Sequence, residues 1–331
     1  MAKSAVFLLA AALAANVYAA EITLNETDFL REAVFVSESI ADTSAGTAAL
    51  RPDQRASGSS SAGGFVPLPQ VSDSQNDLMD LLRDTNPHIR KAAVIASKQY
   101  ILNSSPRDRI IDILEDTREL AEIRIEAART LCYATGYSDV KDALGDLIKY
   151  RANEPKELKA MTYKALWTAA NGHSQIRDLL VDRVKYSEKD PELRRAAIWA
   201  LFDASMNYNV RDLFVDMLKY NREDDATRIE TIKSLYLAMG HYEAKNLMLD
   251  IVKDTRQDKQ IRITALKALS GARGDSNVER FIEDTIRYER DEDLRVTAIE
   301  ITHNNVIKIR EFFHLGYKLE NGGYINPIEK E

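Results

Sequence analysis

The chain has 331 residues, of which 45% are hydrophobic and 29% are charged, so it is long enough to bury a sizeable core. Its 45 basic and 52 acidic residues are mixed along the chain and give a net charge of −7. This argues against a nucleic-acid-binding protein, which clusters Lys and Arg to neutralise phosphates. Cys132 is the only cysteine, which excludes an intramolecular disulfide and a zinc site of paired cysteines.

The first nineteen residues have the pattern of a secretory signal peptide. Lys3 supplies the positive end, Ala5 to Ala15 is an apolar run, and Val17-Tyr18-Ala19 fits a cleavage site after Ala19. The run is shorter than the about 20 apolar residues of a membrane span. We therefore expect an exported protein, periplasmic or secreted, with no membrane span in the mature chain. An uncleaved anchor is the alternative.

Residues 20–74 have the composition of a flexible, low-complexity segment. Arg51 to Gly64 reads RPDQRASGSSSAGG and contains nothing to bury, so it cannot repay the entropy of ordering. Within the segment, Glu26 to Ile40 carries enough apolar residues for a short amphipathic helix. The pattern does not decide whether that helix packs on the rest of the chain or awaits a partner.

Residues 75–305 contain seven copies of one pattern, in which a residue that is apolar in six of the copies precedes a basic one. We call this basic residue the anchor, and its spacings are 34, 35, 35, 34, 34 and 33 residues. The anchors are Arg90, Arg124, Lys159, Arg194, Arg228, Arg262 and Arg295. A regular period of this size is typical of repeat proteins, whose units bury their apolar faces only against one another.

Each unit is predicted to contain a first helix, a short polar turn and a second helix that carries the anchor. In the fourth unit Leu193, Ala197, Ile198 and Leu201 lie on one stripe at helical spacing. The fifth unit has Thr227 where the others have an apolar residue, which predicts weaker stacking there. After residue 305 the period is lost, and we expect residues 306–331 to form a terminal cap and a loose tail, with a final helix from Val306 to Phe313.

Two segments resemble the signature of the HEAT-repeat family, an Asp-Pro turn followed by an aliphatic residue, Arg and then Ala. They are Asp84 to Ala93, DTNPHIRKAA, and Asp190 to Leu201, DPELRRAAIWAL. The short unit is similar to the HEAT-like repeats of phycobilisome-lyase type. The resemblance implies an all-α fold, a right-handed α-α superhelix of about seven two-helix repeats. The period also equals that of tetratricopeptide repeats, but their Trp, Leu-Gly and Tyr pattern is absent.

Catalytic patterns are not found in the sequence. The five histidines are scattered and none is followed by Glu, and Gly58 to Ala62 misses a nucleophile elbow because Ala62 stands where Gly is required. There is no Gly-rich phosphate loop. We therefore expect neither an enzyme nor a bound metal or cofactor.

A candidate binding surface follows from the register five residues past each anchor. If second helices line the inner face, as the family resemblance implies, five side chains form a ladder of cations interrupted by one aromatic ring. They are Arg129, Lys164, Trp199, Lys233 and Lys267. The ladder is suited to an acidic or extended partner, with Trp199 as the aromatic contact. The alternative is a solvated helix face paired with Glu126 and Glu230. Eight residues past their anchors, Trp167, Phe202 and Tyr236 are expected to pack in the core.

The sequence therefore predicts an exported, non-enzymatic HEAT-repeat scaffold that binds a protein or peptide through its inner helical face. A ligand-binding accessory of lyase type is the alternative that the phycobilisome-lyase resemblance allows. A DNA-binding solenoid is a third alternative, which export and the acidic composition oppose. The pattern predicts no oligomeric state.

Overall fold

The computed structural model describes residues 71–220, 222–303, 312–313, 317–318, 324–325 and 328. For residues 71–74 and for the two strands it describes the backbone alone. The predicted signal peptide, the N-terminal segment up to residue 70 and most of the predicted helix from Val306 to Phe313 lie outside these residues.

The described part of the chain contains seven successive helix pairs, as the recurrence predicted. The first three pairs are α1 (Val71–Leu81) with α2 (Pro87–Ala96), α3 (Ser104–Glu115) with α4 (Ala121–Leu131), and α5 (Ser138–Tyr150) with α6 (Lys156–Ala165). A short unpaired helix, α7 (Trp167–Gly172), follows them. The other four pairs are α8 (Ser174–Asp182) with α9 (Pro191–Ala200), α10 (Tyr208–Lys219) with α11 (Asp225–Ser234), α12 (Tyr242–Lys253) with α13 (Lys259–Ala268), and α14 (Ser276–Tyr288) with α15 (Glu292–His303). The predicted all-α solenoid of about seven two-helix repeats is confirmed.

Shorter elements connect and follow these helices. Most second helices end in a 3₁₀ turn, the turns being Ser97–Tyr100, Cys132–Ala134, Phe202–Ala204, Tyr236–Ala238 and Leu269–Ala272. A π-helical turn, Arg183–Ser187, extends α8. Near the C-terminus β1 (Tyr317–Lys318) pairs antiparallel with β2 (Tyr324–Ile325), with Tyr317 opposite Ile325.

Asx caps and prolines set the starts of several second helices. The Asn86 Oδ1 atom accepts from the backbone N–H of His88 at 2.9 Å, and Pro87 begins α2. Asp190 does the same for α9, where Pro191 is the first helical residue. A proline costs nothing at this position because its missing N–H has no partner inside the helix. These turns therefore fix where the second helices begin.

The predicted apolar stripe of the second helices lies in one continuous core. Leu193, Ala197, Ile198 and Leu201 are all buried in it. Thr227, the polar residue of the fifth unit, is buried too, and its hydroxyl donates to the Asp224 carboxylate at 2.7 Å. Because its polar group is satisfied, Thr227 does not leave a defect in the stack.

The second helices form the more continuous of the two layers. Each of them packs closely on the second helix of the next repeat, from α2 through α4, α6, α9, α11 and α13 to α15. Neighbouring first helices approach each other less closely along the stack. The second-helix layer is therefore the more tightly packed side of the stack.

The anchor arginines tie each repeat to the next. The Nε atom of Arg124 donates to the Leu114 carbonyl at 2.8 Å, and its two terminal nitrogens donate to the Glu154 carboxylate at 2.6 and 2.7 Å. A contact from the anchor guanidinium to the next repeat recurs in four further pairs, with Gln257 in place of the carboxylate in one of them, and Arg194 and Arg262 also repeat the Nε bond to a carbonyl. These pairs are Arg90 with Glu119, Arg194 with Glu223, Arg228 with Gln257, and Arg262 with Glu289.

Two of these carboxylates, Glu119 and Glu154, are held in the ionised form by their arginines. The hydrogen bond from Arg90 lowers the pKa of Glu119, and that from Arg124 lowers the pKa of Glu154. Hydrogen bonds to the charged form favour it even where burial opposes it. The anchors therefore contribute charged contacts between repeats, a role that the sequence pattern did not reveal.

Candidate partner-binding surface

Arg129, on α4, begins the predicted ladder and is engaged within its own helix. Its guanidinium donates to the Glu126 carboxylate at 2.7 Å, and the two side chains are 17% and 15% exposed. This is the pairing expected for a solvated helix face. Arg129 therefore contributes a neutralised, half-buried polar group at this end of the surface.

Trp199 lies inside the stack, only 2% exposed, and is not the exposed aromatic contact that the sequence suggested. Its ring packs edge-on against Trp167 and Phe202, with centroids 6.2 and 5.6 Å apart. The Lys164 Nζ atom lies 5.7 Å from the Trp199 ring centroid. Aromatic side chains of this and the preceding repeat cover the Trp199 ring.

Of the aromatic residues eight positions past their anchors, which were expected to pack in the core, Phe202 is buried and Trp167 is half-buried. The two rings stack at a centroid distance of 5.3 Å and an interplanar angle of 13°. The Trp167 Nε1–H donates to the Cys132 sulfur at 3.1 Å. The lone cysteine is thus a buried acceptor within the aromatic cluster.

Lys233 and Lys267, from consecutive repeats, lie over the same aromatic ring. Their Nζ atoms are 4.7 and 4.5 Å from the centroid of Phe312, a residue of the C-terminal segment. Next to it, Phe313 is buried and stacks on Tyr236 at 4.2 Å. The structure therefore brings together two lysines of the ladder, Tyr236 from the same repeat as Lys233, and two phenylalanines from outside the repeats.

Sequence reasoning missed the Phe312–Phe313 contact, although a signal was present. Two adjacent aromatic residues follow the repeats and have no place in the 34-residue period. Such residues in a terminal segment need an apolar surface elsewhere on the molecule. The pattern does not say which repeat supplies that surface.

Apolar side chains extend the surface beyond the lysines. Ile95 holds the same register on α2 as Lys233 does on α11 and is exposed, as are Leu102 and Met206 in the turns after α2 and α9. The layer thus presents cations beside aliphatic and aromatic groups. Among the described residues no three His, Cys, Asp or Glu side chains are grouped to hold a metal ion.

The chain was compared with known proteins and solved structures. No protein-family model matches it, and no curated protein matches it. In the described residues no helix is long and apolar enough to cross a membrane.

Several solved helical structures are similar to it at low identity. The complex of CpcE and CpcF of phycocyanin lyase from Nostoc sp. PCC7120 has 14% identity and a TM-score of 0.40, over 78% of this chain and 98% of that one. An engineered protein has 18% identity and a TM-score of 0.32, over 72% and 97%. Kap121p bound to Pho4p has 13% identity and a TM-score of 0.39, over 71% of this chain and 29% of that one. The fold rests on the stacked helix pairs themselves, which have the HEAT-like architecture that the sequence predicted.

Proposed function

We propose that this protein is an exported, non-enzymatic scaffold that binds a protein or peptide partner through its second-helix layer. The observation that carries the proposal is the contact of Phe312 with Lys233 and Lys267. Here the layer holds a side chain from a segment outside the repeats. A surface that binds one peptide segment in this way has the chemistry to bind another.

The chemistry of the layer favours an extended partner with aromatic or acidic side chains. Lysine ammonium groups attract the faces of aromatic rings, and the attraction grows where water is excluded. The same ammonium groups pair with carboxylates at the edge of an interface. A solenoid presents such groups at regular intervals, so that several points of one extended chain are held.

Site-specific photo-cross-linking in the native compartment tests the proposal. The cross-linking amino acid p-benzoylphenylalanine replaces Tyr133, an exposed residue just past α4, or Tyr150, an exposed residue at the end of the first helix α5. Both replacements start from exposed tyrosines, so Tyr150 is a matched control. We expect the Tyr133 position to capture one recurring protein and the Tyr150 position to capture none.

Equal capture from both positions contradicts a specific second-helix surface. Absence of any protein, with a coloured or covalently bound small ligand on the purified chain, favours the lyase-type accessory instead. The mass of the mature chain from the same preparation tests export, because cleavage after Ala19 leaves Ala20 as its first residue.

A further inference from the structure

One repeat junction shows how the second-helix layer holds a pair of aromatic rings. In the third repeat Lys164 and Trp167 stand five and eight residues past the anchor, and the fourth repeat places Trp199 and Phe202 at the same two positions. Phe202 stacks on Trp167, and Trp199 lies under Lys164. Trp199 and Phe202 are themselves edge to face, at 5.6 Å and 68°.

The fifth repeat has Lys233 and Tyr236 at these two positions and receives a pair with the same arrangement. We call these two residues the Lys233–Tyr236 platform. Phe313 stacks on Tyr236 at 4.2 Å and 16°, and Phe312 lies under Lys233 at 4.7 Å. Phe312 and Phe313 are edge to face, at 4.9 Å and 83°. The C-terminal pair thus reproduces the packing of Trp199 and Phe202.

The sixth repeat lacks an aromatic pair of its own that could pack on the platform. At the two positions it carries Lys267 and Ser270, so the neighbour offers no aromatic ring to the platform. Gly271 follows, and a Cβ atom there would lie 3.0 Å from the Tyr236 carbonyl oxygen and 3.2 Å from its ring. The small residues of the sixth repeat therefore bring its backbone close beside Tyr236 and leave the aromatic positions open to another segment.

The Phe312–Phe313 contact lies away from the last repeat. Ile299 of α15 is 42% exposed, whereas Ile198, Ile232 and Leu266, at the same register in earlier repeats, are 0% exposed. Ile299 thus remains more exposed than its counterparts in the earlier repeats. The two phenylalanines instead lie on the fifth and sixth repeats, on the layer that we assign to partner binding.

We propose that the Lys233–Tyr236 platform is a recognition site for two adjacent aromatic side chains of a peptide, occupied here by Phe312 and Phe313 as a displaceable internal ligand. A partner peptide with such a pair binds by replacing them. The existence of the site does not rest on the proposed function. Only the use of the site by a partner from the native compartment does.

Peptide binding to the full chain tests the site. The probe is a fluorescent peptide with the sequence of residues 306–319, VIKIREFFHLGYKL, and the chains are wild type and Phe312→Ala/Phe313→Ala. Fluorescence anisotropy should show binding to the double variant about tenfold tighter than to wild type, or more, because the internal ligand no longer competes. Adding Lys233→Glu to the double variant should weaken that binding about tenfold.

Two controls distinguish binding at the site from non-specific peptide binding. Lys219→Glu, an exposed change on the first helix α10, should leave peptide binding to the double variant unchanged. A peptide with both phenylalanines replaced by Ala should not bind. Equal affinity of wild type and double variant, or binding insensitive to Lys233→Glu, would overturn the proposal.

A second measurement keeps the proposal testable where the double variant does not fold. With p-benzoylphenylalanine at position 312 of an otherwise wild-type chain, illumination should link this residue to peptides that contain Lys233 or Lys267 of the same molecule. Links to any other repeat overturn the proposal. Failure to recover a native partner in cross-linking from Tyr133, while the peptide binds as described, refutes the proposed function but not the site.

Discussion

Arg124 shows how much one side chain contributes to the junction between two repeats. It joins the end of α3, the helix α4 that carries it and the turn before α6, and its side chain and that of Glu154 are only 3% and 7% exposed. Both charged groups are removed from water and depend on each other. Removal of Arg124 would leave the buried Glu154 carboxylate with only the longer contact to Arg151, at 3.7 Å.

We predict that Arg124→Ala lowers the free energy of unfolding by about 3 to 5 kcal/mol, the cost of breaking a buried pair from one side. Arg118→Ala is the matched control, since Arg118 pairs with Asp116 at 3.1 Å on the exposed surface. Such an exposed pair contributes little to stability, so this variant should unfold almost as the wild type does. Urea unfolding followed by circular dichroism measures both variants. Equal losses in the two variants would show that the junction does not depend on its buried pair.

The anchor residues could be found in the sequence, but their partners could not. The positions of Arg90, Arg124 and Arg262 follow from the 34-residue recurrence. Their acceptors, Glu119, Glu154 and Glu289, lie about 30 residues further on, beyond the reach of the helical spacing rules that we applied. The recurrence of an acidic residue shortly before each second helix was the signal that could have found them.

In the third repeat a tyrosine, rather than the anchor residue, contacts the acidic residue of the next repeat. The anchor of the third repeat is Lys159, and the acid in the expected place is Glu188. The Tyr163 hydroxyl donates to Glu188 at 3.0 Å, four residues past the anchor on α6. Burial and the nearby Glu188 raise the pKa of Tyr163, so the phenol remains protonated and able to donate.

We predict that Tyr163→Phe lowers the free energy of unfolding by about 1 to 3 kcal/mol, because a hydrogen bond to a charged acceptor is lost inside the stack. Tyr186→Phe, an exposed change in the π-helical turn after α8, should have almost no effect. Thermal unfolding of both variants measures the difference. No loss in Tyr163→Phe would mean that water replaces the hydroxyl, and that Glu188 is not held by Tyr163.

The sequence predicted helix pairs well and irregular elements poorly. Paired helices follow from apolar spacing that recurs seven times, as in Leu193 and Ala197 of α9. The short helix Trp167–Gly172 and the π-helical turn Arg183–Ser187 have no such signal. Both lie in the part of the stack where the period lengthens to 35 residues. Packing around Trp167 is a tertiary effect that local propensity does not encode.

At the scale of the whole molecule, we propose the second-helix layer as the partner-binding surface. The sequence predicted this layer and its cations, but it assigned Trp199 to the surface and placed Phe312 and Phe313 only in a terminal cap. The burial of Trp199 depends on aromatic side chains of two repeats. The contact of Phe313 with Tyr236 joins residues far apart in the chain, and no periodicity predicts it.

Our central claim is that the second-helix layer of the fifth and sixth repeats holds a peptide segment. Hydrogen–deuterium exchange of the full chain tests it most directly, because amides under a bound segment exchange slowly. In Phe312→Ala/Phe313→Ala we predict faster exchange at Tyr236–Ala238 and Leu269–Ala272, no change in α3, and recovery of protection when the peptide of residues 306–319 is added. Identical exchange in wild type and variant would contradict the claim.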